Sequence, residues 1–389
     1  MNNLFLFIIW ENGRVRQKQV LASLKARFEV IKIYDIHWSP SLVMTNFERL
    51  MQRRITKRHV SKIGDGNFLL IIIRDKYPKY KANIKGNTSN GQINMRISET
   101  EKMLRHIVKN KDCIYATQSN HETNRKLSLL MGVNIVDFMY SIQPSDQIEY
   151  IERDLVGAVG WENIEQFFYI LNNTLDYVVL RNWECLPDDF TIEGHGDIDI
   201  LVRNEKDALW VTGAQKMSSY KDDAASLIKI GGMNIPFDIR RVGDNYYDKN
   251  WEICMLECRK LNKNSIYVQD DVNYFYSLLY HALIQKNEIT ADYKGRLQLL
   301  AGNIDVNINS LKVLQLLELL DKFMCMFHYK YVRPNNIYAT FNEANIQQSE
   351  YAKKYGVAKS LRYRWNYHIR PIKVITYRII KLLSRLVNI

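Results

Sequence analysis

Residues 194–202 read Gly-His-Gly-Asp-Ile-Asp-Ile-Leu-Val, and from Asp197 onward polar and apolar side chains alternate. In a β-strand, residues two apart point to the same side and lie ~6.5–7 Å apart along the chain. Asp197 and Asp199 are therefore expected side by side, while the isoleucines between and after them enter a core. Two neighbouring carboxylates on a half-buried strand are costly unless a cation lies between them. The pattern thus predicts a site for Mg²⁺, which prefers oxygen ligands.

The turn before this strand contains Gly194, His195 and Gly196. Because glycine has no Cβ, the backbone at such a turn can approach a phosphate group closely. His195 either contacts a substrate or is simply part of the turn. The three residues are candidates for phosphate binding.

A third acid lies in the stretch 235–241, which reads Ile-Pro-Phe-Asp-Ile-Arg-Arg. Its alternation places Asp238 on the polar face of a candidate neighbouring strand. Three carboxylates from two strands can hold one or two metal ions, and the third can accept a proton from an attacking hydroxyl. Three arginines are candidates to neutralise phosphate charge during transfer: Arg181, Arg240 and Arg241.

Two later groups leave alternatives open. His281 and Lys286 follow the apolar stripe of a helix predicted at 271–286, and they either project toward a phosphate or form a helix-surface pair. Tyr246, Tyr247 and Trp251 either line an acceptor pocket or pack in the core.

The motifs in this order resemble the nucleotidyltransferase superfamily of the polymerase-beta type. The resemblance covers about 175–245 and depends on Leu180-Arg181-Asn182, on residues 196–202 and on Phe237-Asp238-Ile239. It is closest to the uncharacterised bacterial nucleotidyltransferases, whose pattern is a Lys-Gly strand end, a Gly-Asp-x-Asp-Leu-Leu-Val strand and a later Asp. The LicD and fukutin group, which transfers phospho-alcohols onto surface glycans, has a related layout.

The resemblance implies a nucleotidyltransferase-fold mixed sheet that binds a nucleotide-activated donor. It makes Asp197 and Asp199 metal ligands and Asp238 the third carboxylate, with Mg²⁺ or alternatively Mn²⁺ as the cofactor. The chain departs from the family pattern where Arg181-Asn182 replaces Lys-Gly, and it lacks the Gly-Ser helix start of typical members.

Around these motifs, alternating strand and helix patterns predict an α/β protein. The predicted strands lie at 4–10, 28–34, 68–74, 177–180, 197–202 and 234–242. The predicted helices lie near 13–27, 98–109, 121–131, 161–173, 205–217, 271–286, 291–302 and 309–328. We expect an N-terminal α/β domain of unknown role at 1–145 and the nucleotidyltransferase-like domain at 146–270. A helical C-terminal appendage at 271–350 and a basic amphipathic tail at 351–389 follow.

The composition of the chain indicates which class of protein it belongs to. The chain has 389 residues, of which 47% are apolar and 25% charged, as in soluble globular proteins. Its longest apolar runs are far shorter than the ~18 residues of a membrane-spanning helix. Its five cysteines are scattered, which is typical of a reducing compartment, and no cation precedes the first apolar run as in a signal peptide. These features predict a cytoplasmic protein.

The basic charge is concentrated in the tail. The net charge is +12, and residues 351–389 hold ten lysines or arginines but no acid. Residues 372–388 place isoleucine and leucine on one helical arc and cations on the other, a pattern typical of helices that lie on an anionic membrane surface. A helix that packs back on its own domain or on a second subunit is the alternative, and an RNA-binding tail is less favoured because its aromatic residues are few and bunched.

The sequence therefore predicts a Mg²⁺-dependent transferase that moves a phosphate-containing group from a nucleotide-activated donor to a cell-surface glycan or its lipid-linked precursor. It would act at the inner face of the plasma membrane, in polysaccharide biosynthesis. The alternatives are nucleotidyl transfer to a protein, RNA or small molecule, and a non-catalytic nucleotide-binding module. Relief of repulsion between close acids predicts that Asp197→Asn or Asp199→Asn leaves the melting temperature unchanged or raised.

Overall fold

A computed structural model describes residues 3–82, 92–184, 186, 197–217, 225–308, 311–335, 339–361 and 363. The protein is a mixed α/β protein, as the sequence predicts. Its internal contacts divide the chain into two compact units. The first comprises Met1–Thr174 with Trp210–Gly213, and the second comprises Leu175–Leu209 with Ala214–Ile389. The domain boundaries expected at residues 145, 270 and 350 stay predictions.

The first unit contains a five-stranded sheet with the strand order β6-β1-β3-β2-β7. β1 is antiparallel to β3 and β6, whereas β7 runs parallel to β2. Both faces of β1 are buried, so this strand is an uninterrupted apolar run. A separate two-stranded sheet is formed by β4 and β5. The strands of this unit are β1 Leu4–Trp10, β2 Glu29–His37, β3 Asn67–Arg74, β4 Tyr80–Ala82, β5 Gln92–Asn94, β6 Ile114–Ala116 and β7 Ile148–Glu152.

Seven α-helices of the described chain accompany this sheet. They are α1 Gln17–Lys25, α2 Val43–Met51, α3 Lys57–Ile63, α4 Met95–Val108, α5 Asn120–Met131, α6 Ile135–Ser141 and α7 Ile164–Thr174. The helix predicted at 13–27 is shorter than expected, because residues Glu11–Arg16 form a 3₁₀ turn instead.

Arg49 of α2 ties a later piece of chain into the first unit. Its buried guanidinium donates hydrogen bonds to the carbonyls of Val156 at 2.9 Å and Val211 at 2.7 Å, and its Nε donates to the carbonyl of Trp210 at 3.2 Å. Burial lowers the pKa of Arg49 to about 10. These bonds explain why Trp210–Gly213 belongs with the first unit.

The second unit contains a seven-stranded mixed sheet with the order β10-β11-β12-β9-β8-β14-β13. β9 is parallel to β12 and antiparallel to β8. The strands are β8 Tyr177–Val179, β9 Ile198–Val202, β10 Gln215–Lys216, β11 Ala225–Ile230, β12 Met233–Arg241, β13 Lys260–Leu261 and β14 Tyr267–Val268.

Seven further α-helices of the described chain lie between and after these strands, and the first of them ends within the first unit. They are α8 Glu205–Thr212, α9 Lys249–Glu257, α10 Asp271–Ile284, α11 Ala291–Asn303, α12 Val313–Met326, α13 Glu343–Gln348 and α14 Glu350–Tyr355. A core cluster of the unit joins the almost fully buried α10 to Val178, Leu180 and Leu201 of the sheet. Each fully buried leucine or phenylalanine contributes about 1.5–3 kcal/mol, so this cluster fixes the sheet beneath α10.

Most predicted elements are present. The expected strands at 4–10, 28–34, 68–74, 177–180, 197–202 and 234–242 are confirmed within a few residues, as are the helices at 98–109, 121–131, 161–173, 271–286, 291–302 and 309–328. The helix expected near 205–217 ends at Thr212 instead, and Gln215–Lys216 form β10. β11 was not predicted, because its inward positions are Ser226, Ile228 and Ile230, and the buried serine interrupts the apolar alternation. None of the described helices has the length and apolarity needed to cross a membrane.

Candidate functional site

The three predicted acids lie on one face of the second sheet. β9 and β12 are parallel neighbours, and their register aligns Asp238 with Asp199. Adjacent strands are ~4.8 Å apart and aligned residues point the same way, so these two carboxylates are direct neighbours. Asp197 precedes β9 and lies two residues before Asp199. The register therefore brings Asp238 beside Asp199, whereas the joining of all three acids around one metal ion stays a prediction.

The apolar residues between the acids hold this register. Ile198, Ile200 and Ile239 alternate with the aspartates and are buried on the opposite face. A shift of one residue would carry the aspartates into that core and the isoleucines onto the site face. The hydrophobic alternation therefore positions the carboxylates.

The three acids differ in exposure. Asp197 is exposed, the Asp238 side chain is 20% exposed, and the Asp199 side chain is only 4% exposed. The face is thus open at the Asp197 end and closed at Asp199.

A buried ion pair joins Arg181 to Asp199. Arg181 follows β8, and its Nη2 donates to Asp199 Oδ2. Burial acts to lower the pKa of Arg181, but the charge of Asp199 and the nearby tyrosines outweigh it and raise that pKa well above its usual value. A buried carboxylate that loses its cation is strongly destabilising. Asp199→Asn would likewise leave the buried Arg181 guanidinium without its anion, so for this variant we expect a lower melting temperature, whereas the expectation of an unchanged or raised one stands for exposed Asp197.

Arg240 brings a second guanidinium to the same face. It lies two residues after Asp238 on β12, and the Nη2–Oδ2 distance between them is 3.6 Å. The Arg240 guanidinium stands 4.2 Å from the ring centroid of Tyr246, and that of Arg181 stands 5.8 Å from it. Burial raises the pKa of Tyr246 although both arginines oppose the rise. Tyr246 is therefore a neutral phenol between two cations.

Behind Tyr246 lies a buried histidine. His281 Nδ1 is 2.8 Å from Gln285 Oε1 and 3.3 Å from the Tyr246 hydroxyl. Gln285 Nε2 also donates to the Tyr246 carbonyl at 2.7 Å. Burial and then the charge of Arg181 lower the pKa of His281 well below its usual value. His281 is neutral and supports Tyr246, so it supplies no charge for a phosphate.

Other candidates lie away from the acids or outside the described residues. Arg241 points to the opposite face of β12 and pairs with Glu205, the Nε–Oε2 distance being 3.8 Å. Lys286 is exposed beyond the end of α10. Gly194, His195 and Gly196 lie outside the described residues, as does the amphipathic segment 372–388.

The residue after Arg181 adopts an unusual backbone conformation. Asn182 has a φ of 60°, in the left-handed region that glycine favours and asparagine tolerates. The Asn182 Oδ1 accepts a hydrogen bond from Arg296 Nη1 at 3.0 Å, which holds the strand end in place.

A buried acid that sequence reasoning missed supports the loop that carries Tyr246. Glu252 of α9 accepts hydrogen bonds from the backbone N–H of Gly243 at 2.6 Å and of Tyr247 at 3.1 Å. Burial, and then the charge of Asp244, raise the pKa of Glu252 well above its usual value. In the sequence, Glu252 is recognisable only as an acid next to Trp251 on the apolar face of a helix. Tyr247 and Trp251 are themselves buried, which favours packing over an acceptor pocket.

The oxygen atoms of the three aspartates are of the type that binds a hard cation. Carboxylate oxygens are the ligands that Mg²⁺ and Mn²⁺ prefer, and three share this face. The described residues include no group of three His, Cys, Asp or Glu side chains already placed to hold a metal ion. At Asp199 the Arg181 guanidinium takes a cation's place. Asp197 and Asp238 are therefore the more accessible donors.

Comparison of the chain with protein-family models, with curated proteins and with solved structures found no match.

Proposed function

We propose that this protein is a Mg²⁺-dependent transferase of the nucleotidyltransferase type. It moves a phosphate-containing group from a nucleotide-activated donor to a cell-surface glycan or its lipid-linked precursor. The observation that carries the proposal is the parallel register of β9 and β12, which aligns Asp238 with Asp199 two residues from exposed Asp197. Side-by-side carboxylates of this kind are costly to maintain without a cationic partner.

The chain's own residues have separate roles in this proposal. Asp197 and Asp238 would hold the metal ion, with Asp199 as the third donor, and such an ion would supply positive charge to neutralise the donor phosphates. Asp238 also accepts the proton of the attacking hydroxyl. Arg240 lies beside Asp238 and offers its guanidinium to a phosphate oxygen. Arg181 positions Asp199 through their ion pair.

The proposed acceptor and cellular location are inferred from the basic tail. The ten cations and absence of acids in 351–389 suit an anionic membrane surface, where each basic residue contributes about 1 kcal/mol. A lipid-linked acceptor at the inner membrane face follows from that location. Co-sedimentation with phosphatidylglycerol vesicles, but not with phosphatidylcholine vesicles, tests it; equal recovery with both would contradict it.

One observation favours a second candidate, a non-catalytic nucleotide-binding module. The Arg181–Asp199 ion pair already neutralises one of the three carboxylates. Such a protein would bind nucleotides without turnover and without dependence on Mg²⁺.

The test is turnover with a panel of nucleotide donors (CTP, UTP, ATP and CDP-activated alcohols), followed by ³¹P NMR with and without Mg²⁺. We expect donor cleavage by the full-length protein only with Mg²⁺, and its loss in Asp197→Asn and Asp238→Asn. Asp176→Asn is the matched control, because Asp176 belongs to the same unit but pairs with Arg203 and Arg259 away from the face. Equal turnover in all three variants would contradict the proposal, and nucleotide binding without cleavage would favour the binding module.

A further inference from the structure

The first unit contains a cavity of about 310 Å³ that the proposed function does not use. It lies where β1 ends and β6 begins, beside the end of α2 and the start of α3. Its volume is at the lower end of the range for small-molecule sites, roughly 300–1,000 Å³.

The floor of this cavity is aromatic and apolar. Trp10 and Phe47 are almost fully buried, with ring centroids 4.5 Å apart. Trp10 also packs on Phe68 at 4.9 Å, and Ile114 of β6 completes the floor beside it. Only 3% of Trp10 and 1% of Phe47 is exposed, so these rings support the floor from behind. The half-buried side chains of Met51 and Tyr115 supply the accessible apolar wall.

The rim of the cavity is cationic. Arg53, Arg105 and Lys111 line it, with Asp112 as the one carboxylate among the described lining residues. Arg105 is satisfied within the chain, since its Nη2 donates to Glu101 Oε1 at 2.7 Å and its Nε donates to the Ile114 carbonyl at 3.3 Å. In the described part of the chain, neither Arg53 nor Lys111 forms an ion pair.

A further cation lies behind the cavity wall. Lys126 is buried, its Nζ donates to the Leu50 carbonyl, and that nitrogen stands 5.4 Å from the ring centroid of Tyr115, which lines the cavity. Burial lowers the pKa of Lys126 to about 8. The charge of Arg53 also lowers this pKa, whereas the charge of Glu122 raises it. The wall therefore adds to the positive potential at the rim.

We propose that this cavity binds a small organic anion with a flat apolar body, the body packing against Met51 and Tyr115 above the Trp10–Phe47 floor and the anionic group facing the rim cations Arg53 and Lys111. The cation pair suits a phosphate or carboxylate, and charge-assisted hydrogen bonds to it are about twice as strong as neutral ones. The cavity lies entirely within the first unit and gives that unit a ligand of its own.

Binding of 8-anilinonaphthalene-1-sulfonate to the full-length protein, followed by its fluorescence, tests this proposal. Its ring body and sulfonate have the chemistry that the cavity predicts. We expect the double variant Arg53→Gln/Lys111→Gln to weaken binding at the tightest site about tenfold or more, since both cations that face the sulfonate are lost. The uncharged N-phenyl-1-naphthylamine should bind both proteins equally.

The matched control is Arg54→Gln. Arg54 is the exposed neighbour of Arg53, but it pairs with Glu48 and stands over the Trp210 ring instead of lining the cavity. This variant should bind the sulfonate like the unmodified protein, and phenyl phosphate, but not phenol, should displace the probe. Unchanged affinity in the double variant, or an equal loss in Arg54→Gln, would overturn the proposal. All three positions are exposed, so the variants are expected to fold.

Discussion

The carboxylate face of the second unit and the cationic cavity of the first unit use similar residues in opposite ways. Both place arginines beside buried aromatic rings. On the carboxylate face, Arg181 contacts Asp199 and Arg240 lies near Asp238, so the chain supplies both signs of charge. At the cavity, neither Arg53 nor Lys111 forms an ion pair within the described part of the chain, although Asp112 also lines it. The first arrangement stabilises the fold, whereas the second is left to attract a ligand.

The largest expected effect concerns the ion pair of the carboxylate face. Arg181→Met leaves Asp199 buried without its cation, which should lower the free energy of unfolding by roughly 3–5 kcal/mol. Urea unfolding followed by circular dichroism measures this loss. Asp197→Asn, at the exposed end of the same face, should change stability by less than about 0.5 kcal/mol.

The double variant Arg181→Met/Asp199→Leu is the control for this prediction. Replacing both buried charges with apolar groups should restore most of the lost stability, because no isolated charge then remains buried. If Arg181→Met unfolds at the same urea concentration as the unmodified protein, the ion pair has no structural role and the contrast between the two regions fails.

A smaller effect is expected from the pH dependence of His281. Its folded-state pKa lies well below the ordinary value of 6.5, so below pH 6.5 the unfolded chain binds a proton that the folded chain refuses. Stability should therefore be constant above pH 6.5 on this account and fall as the pH drops below it. Between pH 7.5 and 5.5 the loss amounts to about 1.4 kcal/mol.

Urea unfolding of the unmodified protein and of His281→Asn at these two pH values checks the sign. Asparagine keeps a hydrogen-bond donor for Gln285 but has no titrating group. The free energy of unfolding of the variant should therefore fall by about 1.4 kcal/mol less than that of the unmodified protein. If both proteins lose the same free energy of unfolding between pH 7.5 and 5.5, His281 titrates normally and the region behind Tyr246 is open to water.

How much could be predicted from the sequence depends on whether a feature is local. The alternation in 197–202 and 237–240 was enough to predict the strands and the face shared by Asp197, Asp199 and Asp238, because side-chain direction in a strand follows from spacing alone. The same rule, applied strictly, would have placed Arg241 on the opposite face from Arg240, where the structure has it.

Features made by residues distant in the chain were not predictable. Arg181 and Asp199 are brought together by the antiparallel pairing of β8 with β9, and no local pattern indicates that pairing partner. The cavity likewise joins Trp10, Arg53 and Lys111 from three separate segments. Charge complementarity across such distances becomes visible only once the fold is known.

The central claim is that the three aspartates form a divalent-cation site, and Mn²⁺ binding measured by electron paramagnetic resonance tests it most directly. We expect the unmodified protein to bind Mn²⁺, Asp197→Asn and Asp238→Asn to weaken binding at least about tenfold, and Mg²⁺ to compete for the site. Arg241→Gln, which changes the opposite face of β12, should bind Mn²⁺ normally. Equal Mn²⁺ affinity in all four proteins would contradict the claim.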